Sequence, residues 1–379
     1  MTGQVVRLLW LVALGGALIA CTGRGPQAPT PTPTTPPETP AVTPSPTATP
    51  TPEPTPTATP TPPVSGYLEL AGDRVTGVVV PDQQNDALYA ATETTLFRQG
   101  ERGWERVGSL PGPGTLASAP SDPETLYLGD HPPCFRGGEP VAFHRSRDGG
   151  ASWEALAGGQ DVRPLLVHPS DPNVVIGDRC QLVVSPDGGE TWATLPESEG
   201  LTVFGAALDG TTLYGVLTSE GGTTWLVRFD LSDPRQPAAG DRLLEFWGGG
   251  TVLVRDDLLL VAEPRGVHLS RDGGMSWEFS RAGLENVTIS VDPRTEPIPS
   301  DELARGYGLR SIAADPADPR HLWLGTIRGL YESRDGGLTW QPVDQVPAVE
   351  ISEIAVARGG TLLYLRTLDG IFVLPQASP

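Results

Sequence analysis

The 379-residue chain contains no lysine: all 26 basic side chains are arginine, set against 46 aspartates and glutamates, for a formal net charge of −20. Without lysine, Schiff-base chemistry, lysine nucleophiles and a P-loop lysine are excluded. The acid excess leaves no basic stripe, so no nucleic-acid partner is expected. Five histidines and three cysteines are little material for a zinc or iron–sulfur centre. No histidine pair has metal-ligand spacing, and neither a metal nor a cofactor is expected. A serine nucleophile elbow and a Cys/His signature are also missing. What the chain has in excess is turn-forming residues, 46 Gly and 41 Pro.

The N-terminal segment stands apart from the rest. Arg7 is followed by an apolar run from Leu8 to Ala20, too short for a spanning helix, which needs about 20 residues. The run ends in Leu18-Ile19-Ala20-Cys21, which resembles the lipobox of bacterial lipoproteins. That resemblance implies a signal peptide over 1–21, diacylation of Cys21, and a lipid anchor on the outer face of the cell membrane. The alternative is an ordinary secretory signal with an incidental cysteine. Residues 22–65 read as a linker. Of the 38 residues 26–63, 16 are Pro and 13 are Thr, a composition that cannot bury a core and favours polyproline II or disorder.

Residues 66–375 carry an internal repeat. Four octapeptides match one another: Ser146-Arg-Asp-Gly-Gly-Ala-Ser-Trp153, Ser185-Pro-Asp-Gly-Gly-Glu-Thr-Trp192, Ser270-Arg-Asp-Gly-Gly-Met-Ser-Trp277 and Ser333-Arg-Asp-Gly-Gly-Leu-Thr-Trp340. The pattern resembles the Asp-box of sialidases, xyloglucan-degrading propellers, sortilin-type receptors and the photosystem II assembly-factor family. Its physical content is a tight hairpin. Gly supplies positive φ, the carboxylate accepts N–H groups of its own turn, and the Trp leads the next strand into packing between sheets. Asp148, Asp187, Asp272 and Asp335 are accordingly structural, because a residue repeated four times cannot be the unique centre of one active site.

Asp-Pro turns at Asp122, Asp171 and Asp318, each feeding an apolar run, complete a four-strand unit. Blade ends fall near Trp104, Trp153, Trp192, Trp247, Trp277 and Trp340, and the chain then closes with three strands only. Tyr67-Leu-Glu-Leu70 resembles the other closing strands and supplies the fourth. The expected fold is all-β, a single seven-bladed propeller with Asp-box hairpins.

The resemblance implies that loops between blades share a face with the loops joining second to third strands, opposite the Asp-boxes. Two insertions map there, Asp130–Val141 and Asn286–Gly308. His131, Arg136, Glu139, Asp301, Glu302, Arg305, Tyr307 and Arg310 are therefore candidate ligand-binding residues, against the alternative of plain surface elaboration. Cys134 and Cys180 follow equivalent strands in neighbouring blades, which for an exported chain points to a disulfide, against two free buried thiols.

For function, the reading favours a lipid-anchored, monomeric, non-catalytic module that binds an extracellular protein or glycan, in the style of the photosystem II assembly factors. The alternative is a glycoside hydrolase of exo-sialidase type. The early Arg-Ile-Pro-type motif of sialidases is missing, and xyloglucanase-like sites lie between two tandem propellers, where this chain has room for one.

Overall fold

Short runs rich in Val, Leu and Ala, separated by Gly, Asp and Pro turns, build strands rather than helices, and the repeat fixes their number. A computed structural model describes residues 65–80, 88–100, 103–132, 134, 139 and 141–376. The signal segment with Cys21, the linker up to residue 64, and Arg136 lie outside the described residues. Seven four-stranded antiparallel sheets follow one another around a ring. Blade 3 is typical: Arg163–Val167, Val175–Asp178, Leu182–Ser185 and Ala193–Thr194, in that order from the axis outward. Blade 4, Thr202–Asp209 through Asp241–Trp247, has the longest strands and no Asp-box. Its Thr218–Trp225 segment forms the hairpin between second and third strands.

Blade 7 takes three strands from the C-terminal end, Glu353–Ala357, Leu362–Thr367 and Gly370–Pro375, and its fourth from Gly66–Tyr67. Gly66 pairs with Val373 and Tyr67 with Phe372, and the Leu68 N–H donates to Ile371 O at 2.8 Å. The Tyr67 and Phe372 rings meet edge-on with centroids 5.4 Å apart. The ring therefore closes where the sequence repeat requires it to.

The core is divided among the interfaces between blades. Leu258, Leu260 and Leu269 of blade 5 meet Leu309, Leu322 and Leu324 of blade 6. Corresponding apolar clusters fill the other six interfaces, with Leu70 and Val75 joining the one between blades 7 and 1. Because a blade is buried on both faces, its middle strands are buried and mostly apolar along their length rather than alternating, as in Leu258–Glu263, where only Glu263 is polar.

Each Asp-box is held by the same bonds. In the third, the Ser270 hydroxyl donates to Asp272 Oδ1 at 2.7 Å and accepts the Gly274 N–H at 2.8 Å, while Asp272 Oδ1 accepts the Ser276 N–H at 2.9 Å. The paired glycines sit at φ 69° and 90°, where an L side chain is strained. A Cβ on Gly337 of the fourth box would lie 3.0 Å from Leu260 Cδ2, so the turn also packs against the preceding blade. Trp192, Trp277 and Trp340 donate from Nε1 to the second box glycine's carbonyl at 3.1–3.2 Å, whereas Trp153 Nε1 has no acceptor among the described residues.

The Ser276 hydroxyl and N–H, with the Ser270 hydroxyl, hold the Asp272 carboxyl down to about 2. Asp148, Asp187 and Asp335 are also lowered, through the equivalent Ser or Thr in each box. A carboxyl depressed in the folded state adds stability above its ordinary value, and that stability is lost as pH falls through the folded value. Unfolding followed by circular dichroism should therefore steepen as pH drops from about 3.8 to about 2. Changing all four box aspartates to Asn should lower stability at neutral pH and flatten that acid limb. A second test concerns closure. Deleting residues 66–70 exposes the Phe372 edge and the Leu70 pocket, a loss of about 3 kcal/mol that should lower Tm on the order of 5–10 °C in calorimetry.

Candidate functional site

One face of the ring is committed to turns. The Gly149, Gly188 and Gly336 N–H groups of the boxes donate to the carbonyls of Glu124, Asn173 and Arg320 in the first-to-second-strand turns at 2.7–2.9 Å. The opposite face carries the interblade loops and the second-to-third-strand loops, and both insertions lie there. The axial channel between the faces, about 670 Å³, is walled by aliphatic residues such as Val79, Leu166, Val254 and Ile354. Among the described residues, Arg255 and Glu353 are its charged lining residues, and the Arg255 guanidinium is spent on the carbonyls of Asp315 and Pro316.

Two hollows open on the box-free rim. The first, about 350 Å³, is lined by Phe204, Trp247, Gly248–Gly250, Pro264 and Tyr307–Arg310. Phe204 is 53% exposed, unusual for so large an apolar side chain, and its ring lies against the Gly248–Gly250 loop. A Cβ on Gly249 would lie 2.5 Å from Phe204 Cδ1, so glycine is what allows that ring to lie flat there. The tryptophans of the four boxes pack between blades; Trp247, after a blade without a box, faces this hollow instead.

The second hollow, about 900 Å³, lies between blades 7 and 1. It is lined by Asp73, Arg74, Thr76, Thr92, Glu93, Thr94, Glu350, Ser352, Arg366, Thr367, Leu368 and Gly370. Arg366 pairs with Glu353 at 3.5 Å, whereas Asp73, Arg74 and Glu93 have no ion-pair partner among the described residues. The hollows adjoin: Arg310 lines the first, Glu350 the second, and Arg310 Nε donates to Glu350 Oε1 at 2.7 Å.

The larger insertion is a rigid buttress beside the aromatic hollow. Leu284, Val287 and Ile289 are fully buried. Glu302, on the short helix Ser300–Arg305, accepts the Ser290 N–H at 2.9 Å and faces Arg305 at 3.4 Å and Arg281 at 3.6 Å. Burial works against its charge, but the Ser290 N–H and the two guanidiniums hold the carboxyl below its ordinary range. Arg305 also donates to the carbonyls of Glu285 and Thr288. An ion-pair chain, Glu245–Arg294–Asp292–Arg265–Glu263, ties the insertion to blades 4 and 5.

Of the residues singled out from sequence, Tyr307 and Arg310 are brought together at the aromatic hollow. Glu302 and Arg305 hold the insertion's own backbone, and the Asp301 side chain stays 79% exposed beside Arg305. Glu139 is exposed in the other insertion. His131 lies two blades away, where its Nε2 meets Asp178 Oδ2 at 3.0 Å, and this contact raises its pKa. Cys134 and Cys180 are joined, with Sγ–Sγ 2.14 Å and Cα–Cα 5.5 Å. Sequence reasoning missed Phe204, Asp73 and Glu93, and took Trp247 only as a blade marker. The missing box before Trp247 and the Gly-Gly-Gly after it were the available signal.

No family model matches the chain. It is similar in sequence to a probable oligoxyloglucan-reducing end-specific xyloglucanase from Neosartorya fischeri, with 24% identity over 373 residues, covering 78% of this chain and 44% of that protein. It is 27% identical over 285 residues to a xyloglucanase from a Paenibacillus species, covering 68% of this chain and 24% of that one. The chain thus spans less than half the length of these relatives. Among solved structures it resembles YCF48 bound to D1 peptide, at 16% identity and a TM-score of 0.55, covering 83% of this chain and 97% of that one, a likeness of fold. The relatives overturn the functional preference drawn from the sequence. They are named xyloglucanases, which favours the glycoside hydrolase alternative over a non-catalytic binding module, and none of these names is that of a sialidase.

The buttress is open to direct test. Replacing Glu302 with Ala strands the Ser290 N–H and leaves two guanidiniums without their shared partner, costing about 2–3 kcal/mol. The expected result is a lower Tm with faster tryptic cleavage at Arg294 and Arg305, while wild type resists.

Proposed function

We propose that the chain is an exported glycoside hydrolase acting on polysaccharide of the xyloglucan type, with its site on the box-free rim. The observation that carries this reading is the pair of adjoining hollows, one aromatic and one lined by carboxylates, divided by the Arg310–Glu350 ion pair. A pyranose ring presents an apolar C–H face and a polar edge. Trp247, Phe204 and Tyr307 offer flat apolar surface for the former, and such contacts orient a sugar while leaving its hydroxyls free. Sugars that continue across the divide would meet Glu350, Arg366 and the hydroxyls of Thr94 and Ser352.

Hydrolysis of a glycosidic bond needs two carboxyl groups, one to protonate the leaving oxygen and one to act as base or nucleophile. Glu350 is engaged by Arg310, so Asp73 and Glu93, without ion-pair partners among the described residues, are assigned these two roles, with Arg74 beside them to balance charge. In this reading a single propeller carries both roles on one face, in a chain less than half as long as its relatives. Export through the signal segment, with a lipid at Cys21 and the Pro/Thr linker as spacer, would hold the site at the cell surface, where such polymers are met.

The test is reducing-end release from xyloglucan oligosaccharides by the purified chain. Glu93→Gln and Asp73→Asn should each lower kcat by about 10²-fold or more with Tm unchanged. Trp247→Ala should raise KM about tenfold and affect kcat less. Absence of turnover in wild type, or turnover indifferent to both carboxamide variants, would refute the assignment.

A further inference from the structure

We propose that His131, Cys134 and Cys180 form a redox-gated site for a thiophilic metal ion of the zinc type, closed by the disulfide and opened by its reduction. The proposal does not rest on the hydrolase reading, since none of the three residues lines either hollow.

No sequence spacing points to this set, because the ligands come from loops of two neighbouring blades. Folding brings His131 Nδ1 to 3.9 Å from Cys134 Sγ and 3.9 Å from Cys180 Sγ. A tetrahedral zinc ion, with metal–sulfur bonds of about 2.3 Å and a metal–nitrogen bond of about 2.0 Å, sets nitrogen and sulfur roughly 3.6 Å apart. The imidazole thus needs to shift by only a few tenths of an ångström. The two sulfurs must separate to roughly 3.8 Å. Rotation about the two Cα–Cβ bonds allows this with the Cα atoms 5.5 Å apart.

The surroundings of His131 have the form that metal-ligating histidines take. Its far nitrogen, Nε2, lies 3.0 Å from Asp178 Oδ2, and the same oxygen accepts Arg163 Nη2 at 2.5 Å. Once Nδ1 loses its proton, a buried carboxylate on the far nitrogen keeps the remaining proton there and leaves the near nitrogen to donate its electron pair to a metal. The ion would take the place of the Nδ1 proton that Pro132 O now accepts at 2.8 Å. The Asp178 side chain is 4% exposed, and its Oδ1 is buried with no hydrogen-bond partner among the described residues. Cys180 sits at φ 57°, a left-handed conformation that a non-glycine residue keeps only where its surroundings impose it.

The chemistry balances. An external dithiol delivers two electrons and two protons to the S–S bond, giving two thiols, and leaves as its own disulfide. The ion then displaces both thiol protons and the Nδ1 proton, giving two thiolates, one imidazole and a fourth position open to water.

The experiment uses the full chain, reduced with a dithiol and desalted without oxygen, with Co(II) as spectroscopic probe and Zn(II) as competitor. The expected result is one Co(II) per chain with thiolate-to-cobalt charge-transfer absorption, displaced by Zn(II), and no such band in the oxidised protein. His131→Ala should weaken binding at least tenfold, and Cys180→Ser should abolish the band. In wild type, Zn(II) should slow alkylation of both thiols, a readout that needs no variant. The proposal is overturned if the reduced chain keeps its circular dichroism and binds no Co(II). It is equally overturned if His131→Ala binds as tightly as wild type, if Zn(II) leaves alkylation unchanged, or if reduction unfolds the protein.

Discussion

Every blade of this protein is a sheet with two apolar faces, and no face is satisfied until a neighbour covers it. That constraint determines the remaining architecture. Seven sheets packed face to face in a ring have seven interfaces, so an open row of seven would leave two apolar faces exposed to water. The ring is closed between blades 7 and 1 by their apolar cluster, and Gly66–Tyr67, from the far end of the sequence, completes blade 7 by pairing with Phe372 and Val373. The apolar clusters between blades are equivalent in kind, and in the one between blades 7 and 1 Leu70, beside the closing strand, joins residues of both blades such as Val78, Phe97, Leu362 and Tyr364.

The Asp-boxes make the repetition possible at low cost. Serine, aspartate and two left-handed glycines satisfy many of one another's polar groups inside the hairpin, so the four box-bearing blades turn tightly with few partners from elsewhere. Because this device occupies one face, the opposite face is free to vary. There the chain places its two insertions, its disulfide and both hollows. Blade 4 shows the difference: its third and fourth strands are joined by the 231–240 loop instead of a box, and Trp247, at the far end of the fourth strand on the box-free face, lines the aromatic hollow.

Much of this was legible from residues alone. Four octapeptides and three Asp-Pro turns carry the blade count, and the likeness of Tyr67–Leu70 to the other closing strands identifies the seam. The site was less legible, for a physical reason. Glu302 and Arg305 look like loop charges awaiting a ligand, yet both are consumed in holding the insertion's backbone. Asp73 and Glu93 look like ordinary turn residues, yet they line the larger hollow. Whether a charged side chain is free or spent depends on partners distant in the chain. The preference for a binding module failed for a related reason: a box motif reports a hairpin, and hairpins are shared by proteins with different chemistry.

The sequence by itself determined what local chemistry can encode: strands and turns, the repeat and its number, the absence of lysine chemistry, and a hydrophobic pattern that is satisfied only by a closed ring. Tertiary structure alone decided which loops meet. It set Arg310 against Glu350 across blades 6 and 7, joining two hollows into one surface, and it brought His131 beside two sulfurs 46 residues apart in the chain. These contacts join residues with no periodic relation to one another, and the curvature that brings them together is a property of the whole ring.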